Sequence, residues 1–228
     1  MNNARQDFAM MIAHDLRGPL TVIRGAVAEM EEGNDSRDVR ERLRVATQIL
    51  SEHTEMIIDS ARLDAGEYRS EWKEIDVSDE LERMCVIATA LARNKKLQVT
   101  CEIHSPMKIS VDATAFRHIV QNLLENAVKY TDEGNVAVTC VQKEGSIEVR
   151  VVDTGIGISA EDLKHMFEPF HRGASDDIRT RTGSGMGLWM CRRFAEAAGG
   201  SVRMESAGVG QGTVAVMVLP IRSSGEGK

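Results

Sequence analysis

The segment Val111–Thr131, "VDATAFRHIVQNLLENAVKYT", decides the fold. Leu123, Leu124, Ala127 and Val128 stand three and four residues apart, the spacing that gathers apolar side chains on one face of a helix. Asn122 and Asn126 are four apart and share a helix face, with Lys129 one turn further along. Asparagine is a poor helix former, so amphipathicity explains the leucines and leaves the two asparagines unexplained. The spacing predicts a helix over 113–128. On both sides the period shifts to two, at Val99, Cys101 and Ile103, at Val136, Val138 and Cys140, and at Ile147, Val149 and Val151, as in half-buried strands. Further helices are predicted over 78–93 and 186–198, and closing strands over 201–205 and 213–219. Helices interspersed with hairpins predict an α+β fold, an α/β sandwich whose sheet is covered on one face by helices.

Upstream, the pattern is purely helical. Ile12, Leu16, Pro19, Ile23, Ala26 and Met30 recur at steps of four and three, and Val39, Leu43, Ala46, Leu50, His53 and Ile57 repeat that spacing. Val45, Ile49, Met56 and Leu63 widen the second stripe beyond what two helices can bury. Between the stripes, "EEGNDS" (Glu31–Ser36) offers Gly33 as a stop and Asp35 or Ser36 as a cap. A helical hairpin that dimerises into a four-helix bundle is the simplest completion. The polar stretch "DAGEYRSEW" (Asp64–Trp72) then marks a boundary near residues 66–69, giving a hairpin over 1–67 and a second domain over 68–228.

Composition narrows the function. The 228 residues exceed one average domain, and the hydrophobic content of 42% is ordinary for a globular chain. A formal charge of −7 with scattered Lys and Arg gives no basic stripe, so nucleic acid is excluded as an expected partner. Cys85, Cys101, Cys140 and Cys191 are too far apart in sequence for paired-cysteine motifs and lie among apolar neighbours, so free thiols in a reducing cytoplasm are expected. No run approaches the roughly 18 apolar residues of a membrane span, and the start lacks the regions of a signal peptide. A soluble, cytoplasmic chain without membrane contact is the expectation, either alone or as a portion of a larger, membrane-anchored sensor.

In "MIAHDLRGPL" (Met11–Leu20), His14 stands two residues from both Ile12 and Leu16, which at about 100° per residue sets it opposite the apolar stripe, toward solvent. Pro19 lacks the N–H that would bond the Asp15 carbonyl, so the helix is expected to bend just beyond the histidine. An exposed neutral imidazole is a competent nucleophile, and Asp15 can hold one ring nitrogen protonated and leave the other free to attack. Taken alone, the pair reads more readily as a surface His beside an Asp than as a nucleophile. Its surroundings decide: "HDLRGPL" resembles the phosphoacceptor box of sensor histidine kinases, whose dimeric hairpin presents a histidine to a separate ATP-binding domain. The helix "NLLENAVKYT" (Asn122–Thr131) resembles the asparagine box of that family. "DTGIGI" from Asp153, "FEPFHR" from Phe167, "GSGMGLWM" from Gly183 and "GVGQGTVAVMVLP" from Gly208 follow in family order. The resemblance covers nearly the whole chain.

The resemblance implies ATP as the phosphoryl donor and Mg²⁺ as its companion. Asn126 would be the principal metal ligand with Asn122 supporting it, since amide oxygens suit a hard cation. Lys129 would neutralise phosphate charge, Tyr130 would cover the adenine face, and Asp153 would accept a hydrogen bond from the adenine amino group. Gly155 and Gly157 would let the backbone approach the base. Arg172 is placed for phosphate, while Phe167 and Phe170 read equally as core anchors or as ligand contacts. The polar stretch "GASDDIRTRT" (Gly173–Thr182) reads as a lid. Beyond it Gly183, Ser184, Gly185, Gly187 and Leu188 lead into a helix N-terminus suited to phosphate. Thr213 would join the hydrogen bonds around Asp153.

The function implied is autophosphorylation of His14, with Asp15 orienting it, then phosphotransfer to an aspartate of a response-regulator receiver domain by a homodimer. Two rivals are a non-catalytic dimeric scaffold and an ATP-driven conformational machine. Departures from the family pattern are Met186, where Leu is common, Ala115, where Arg is common, and Gly18, where kinases that also dephosphorylate their regulator carry Thr or Asn.

Overall fold

The computed structural model describes residues 2–93, 95–103, 107–169, 171–173, 181 and 185–222, and the side chains of these except residues 2–15, 52, 53 and 56. The chain divides into two compact units, Met1–Asp64 and Ala65–Lys228.

The first unit is a hairpin of α1 (Asn2–Glu31) and α2 (Arg37–Asp64). Gly33 ends α1 at φ 89°. Its N–H bonds the Met30 carbonyl at 3.0 Å and the Asn34 N–H bonds the Glu29 carbonyl at 2.9 Å, so a left-handed residue satisfies the orphan carbonyls of the last turn. Of the two candidate caps, Ser36 serves α2: its Oγ accepts the Val39 N–H at 3.4 Å, while the Asp35 carboxylate pairs with Arg40. Small buried residues, Ala26 on α1 and Val39 and Ala46 on α2, line the contact between the helices, and Arg42 bridges to Glu29 at 2.7 Å across it. Leu20, Val22, Val27 and Ile58 remain substantially exposed. The helix is continuous through Pro19, with the Thr21 hydroxyl bonded to the Arg17 carbonyl at 2.8 Å. The side chains of Ile12, His14, Asp15 and His53 lie outside those described.

The second unit is built on two sheets. β1 (Trp72–Asp76) pairs antiparallel with β3 (Lys108–Asp112), a small sheet that the sequence pattern did not reveal. The larger sheet has the order β2-β4-β5-β7-β6, from β2 (Lys96–Glu102), β4 (Glu133–Lys143), β5 (Ser146–Asp153), β7 (Thr213–Pro220) and β6 (Ser201–Glu205). β2 and β4 run parallel and the other neighbours antiparallel. Register sets Cys101, Val138, Val151, Ala215 and Met204 in one row across all five strands, and Val136, Asp153 and Thr213 in the next row on the same face. Helices α3 (Val77–Leu91), α4 (Ala113–Tyr130) and α6 (Gly187–Ala197) pack on this sheet, and the short α5 (Ala160–His165) follows β5. The architecture is the expected α+β, and no helix among the described residues is long and apolar enough to cross a membrane.

Helix α4 is fixed at both ends. Asp112 caps its start by accepting the Ala115 N–H at 3.1 Å, and its other carboxylate oxygen accepts the Tyr68 hydroxyl at 2.9 Å. At its end Lys95 donates to the carbonyls of Val128, Lys129 and Thr131 at 2.7, 3.1 and 2.9 Å, a cation satisfying the orphan acceptors of the last turn. Phe116, Ile119, Val120 and Leu123 are buried along the sheet-facing side. That burial sets the rotation of the helix, and with it the direction of its asparagines.

Candidate functional site

A cleft partly open to solvent lies in the second unit between α4 and the larger sheet. Asp153 is at its floor because β5 ends there and its side chain falls on the helix-facing side of the strand, opposite Thr213. The Gly155 N–H donates to Asp153 Oδ1 at 2.8 Å. Burial pushes the Asp153 carboxyl above the ordinary aspartate range, and hydrogen bonds from the Gly155 backbone and from the Thr213 backbone and hydroxyl oppose the shift. The Thr131 hydroxyl approaches this carboxylate closely enough to favour its charged form but makes no hydrogen bond of acceptable geometry, and it is buried.

The turn after Asp153 is held from both sides. The Ile156 N–H bonds the Tyr130 carbonyl at the end of α4, at 3.1 Å, and the Gly212 N–H bonds the Gly155 carbonyl at 3.2 Å. The Ile158 N–H bonds Ser206 Oγ at 3.0 Å. A Cβ at Gly155 would meet the Tyr130 carbonyl, Thr131 Oγ1 and Asp153 Oδ1, and one at Gly157, whose φ is +65°, would meet the Gly208 carbonyl. Both positions therefore require glycine.

Helix α4 forms one wall. Asn126 and Tyr130 line the cleft, whereas Asn122 does not. The Asn126 amide donates to Asn122 Oδ1 at 2.9 Å, which orients Asn126 and leaves its own amide oxygen as an acceptor. Asn122 also abuts the start of α6, where a Cβ at Gly187 would strike its amide. Lys129 lies outside the lining, with Nζ 4.8 Å from the centroid of the Tyr130 ring. Arg181 pairs with Asp132 at 2.6 Å and stands 5.9 Å from the same ring. Arg172 lines the cleft and donates to the Arg181 carbonyl. Leu188 also lines it, and Gly185 is left-handed at φ 72° before α6. Gly183, Ser184 and Phe170 lie outside the described residues, as does most of the stretch read as a lid.

Sequence reasoning missed several lining residues. Val151, Ala215 and Met204 form the apolar floor; each is reached by stepping two residues along a strand from a site residue, or one register row across. Asp162, Met166 and His171 come from the segment containing α5. The Ser159 hydroxyl accepts the Asp162 N–H at 3.0 Å, a cap signal that was legible in "ISAED". Met166 is buried there, while Phe167, read as a core anchor or ligand contact, is only half-buried and does not line the cleft.

The donor set fits a purine nucleotide. An apolar slot suits a planar base, Asp153 supplies a half-buried acceptor at its floor, and the glycine turn leaves room for close backbone approach. Among the described residues no group of three His, Cys, Asp or Glu side chains could hold a metal ion alone. A divalent cation would thus share the Asn126 oxygen with phosphate oxygens.

Family models match both units: residues 4–66 match the His Kinase A (phospho-acceptor) domain, and residues 111–223 match the histidine kinase-, DNA gyrase B- and HSP90-like ATPase domain. An uncharacterised sensor-like histidine kinase of Rhizobium meliloti (strain 1021) is 32% identical over 98% of this chain and 44% of its own length. The chain spans less than half the length of the curated relatives it matches. Among solved structures, the histidine kinase AdeS of Acinetobacter baumannii superposes with a TM-score of 0.76 at 18% identity, covering 92% of this chain and 98% of that one. Full-length ShkA in complex with AMPPNP superposes with a TM-score of 0.71 at 25% identity, covering 96% of this chain and 46% of that one.

Proposed function

The chain belongs to the sensor histidine kinases of two-component systems, and from that premise we propose that it transfers the γ-phosphoryl group of ATP to His14 and thence to an aspartate of a response-regulator receiver domain. The observation that carries this reading is the half-buried Asp153 carboxylate at the floor of the cleft, with Asn126 on the wall beside it. Asp153 accepts the adenine amino N–H and Tyr130 covers the base. Asn126, held by Asn122, offers its oxygen at the phosphate end. Arg172, Lys129 and the backbone N–H groups from Gly183 through Gly185, Gly187 and Leu188 neutralise or bind phosphate oxygens. Bound Mg²⁺ would supply charge neutralisation between phosphate oxygens.

His14 attacks through Nε2, while Asp15 holds the other ring nitrogen protonated and stabilises the positive charge that develops. The γ-phosphorus bond to the β-phosphate bridging oxygen breaks as the bond to Nε2 forms, and ADP leaves. Positioning and charge neutralisation do most of the work, since the protein has little covalent chemistry to perform in such a transfer. Dimerisation of the hairpin into a four-helix bundle accords with the substantial exposure of Leu20, Val22, Val27 and Ile58. The AMPPNP complex of ShkA, a relative bound to a nucleoside triphosphate analogue, supports ATP as the ligand.

Incubation with γ-labelled ATP and Mg²⁺ tests the proposal. Label that is acid-labile and alkali-stable is expected, as for a phosphohistidine. Release of inorganic phosphate without protein labelling would identify an ATP-driven machine instead, and the absence of both would leave a scaffold.

A further inference from the structure

Three of the four cysteines gather at one edge of the larger sheet. Cys101 is on the edge strand β2, in register with Val138 on the helix-facing side, and Cys140 follows two residues later on the same face of β4. Cys85 is on the buried side of α3, which packs against β2. The Cys85 and Cys101 thiols are close enough to shift one another's ionisation, and Cys140 Sγ lies 3.9 Å from Met107 Sδ. Cys85 and Cys140 are buried, whereas Cys101 is partly exposed. Nothing in the proposed phosphoryl transfer uses these side chains.

We propose that Cys85 and Cys101 form a dithiol that hydroperoxides oxidise to a disulfide, fastening α3 to the edge strand. The two thiols are unequal in the way such chemistry needs. Cys101 is the partner solvent can reach, and the neighbouring Cys85 thiol holds the Cys101 thiol below the ordinary thiol range, so Cys101 is the more readily ionised of the two. The neighbouring Cys101 thiol, then burial, pushes Cys85 upward, which keeps it protonated as the second partner. Burial pushes Cys140 up to about 12, so it does not compete as a nucleophile. No group of three His, Cys, Asp or Glu side chains among the described residues is arranged for a metal ion, so a metal-binding explanation for the cluster is not supported.

The reaction balances with a hydroperoxide as oxidant. The Cys101 thiolate attacks the terminal peroxide oxygen, the O–O bond breaks, and the alcohol leaves after taking up a proton. The resulting sulfenic acid is attacked by Cys85: the S–S bond forms, the S–O bond breaks, and hydroxide leaves with the Cys85 proton as water. Two thiols and one hydroperoxide give one disulfide, one alcohol and one water.

The test uses the 228-residue chain itself. It is treated with an equimolar hydroperoxide at neutral pH, the remaining thiols are blocked with N-ethylmaleimide, and the digest is mapped by mass spectrometry. The expected product is a peptide pair linked through Cys85 and Cys101, lighter by two hydrogens than the reduced pair, with Cys140 and Cys191 alkylated after denaturation. Cys101→Ala should abolish the link and leave Cys85 reduced, and Cys140→Ala should leave the link intact. A link from Cys101 to Cys140, sulfinic acid on Cys101 beside reduced Cys85, or four alkylated cysteines would each overturn the proposal. The map on the unmodified chain decides even if a core variant folds poorly, and it does not depend on kinase activity.

Discussion

Replacing Asp153 with asparagine isolates the contact on which adenine recognition rests. One carboxylate oxygen already accepts the Gly155 N–H at 2.8 Å, and Thr213 donates through its backbone and hydroxyl. The substituted amide must keep its oxygen toward those donors, because reversing it would set donor against donor. Its NH₂ then faces the base, where the adenine amino group also donates. One hydrogen bond is lost and one buried donor is left unpaired, a cost of about 1–3 kcal/mol. At about 1.4 kcal/mol per tenfold, that is roughly 5- to 150-fold in ATP affinity. Calorimetry on the whole chain should compare ATP with a triphosphate whose purine lacks the exocyclic amino group, and the variant should lose the preference for ATP. A pH series gives a second readout. Because the folded-state pKa of Asp153 is raised, the stability it contributes is present at low pH and is lost as pH rises from the ordinary aspartate range through the raised value. Asp153→Asn has no such titration, so without nucleotide its Tm should gain on that of the wild type across that window. A folded variant that binds ATP within about threefold of wild type would refute the adenine assignment.

Other substitutions probe separate parts of the site. Asn122→Ala removes the acceptor that orients Asn126 and should cost roughly 10- to 100-fold in phosphoryl transfer at limiting Mg²⁺. Asn126→Ala should cost more while calorimetry still shows adenine recognition; equal losses would reject that order of roles. Gly145 and Gly157 are both left-handed, but a Cβ is unobstructed at Gly145 and meets the Gly208 carbonyl at Gly157. Gly145→Ala should therefore lose only the about 1–2 kcal/mol of the left-handed conformation, and Gly157→Ala distinctly more, as read by urea unfolding. Gly18 has no atom within 4 Å of a Cβ built there, so Gly18→Thr should fold normally. By resemblance it should also gain regulator phosphatase activity in ADP and Mg²⁺, and rapid dephosphorylation by the wild type would contradict a kinase-biased Gly18.

What was legible in the sequence was whatever repeats locally. The two helical stripes, α4 and the strands carrying Asp153 and Thr213 each extend over several residues of one period, so their existence and their facing side could be read directly. β1 and β3 could not, since "WKEID" and "KISVD" are short and mixed in charge, and they become strands only by pairing with each other across the intervening α3 and β2, with Trp72 opposite Asp112. Equally hidden was the division of labour between Asn122 and Asn126. Their spacing sets both on one face, but the close approach of α6 at Gly187, where a side chain would meet Asn122, directs that amide away from the cleft. Tyr68 and Asp112 are joined across 44 residues. Such contacts arise from packing between elements, and no local period encodes them.

The proposed transfer carries the phosphoryl group of ATP bound over Asp153 to His14. After incubation with ATP and Mg²⁺, the chain would be digested under alkaline conditions that preserve phosphohistidine and the modified residue located by mass spectrometry. The phosphate should map to His14, and His14→Gln should show none while binding ATP as tightly as the wild type. Phosphate on another residue, or label persisting undiminished on His14→Gln, would contradict transfer to His14.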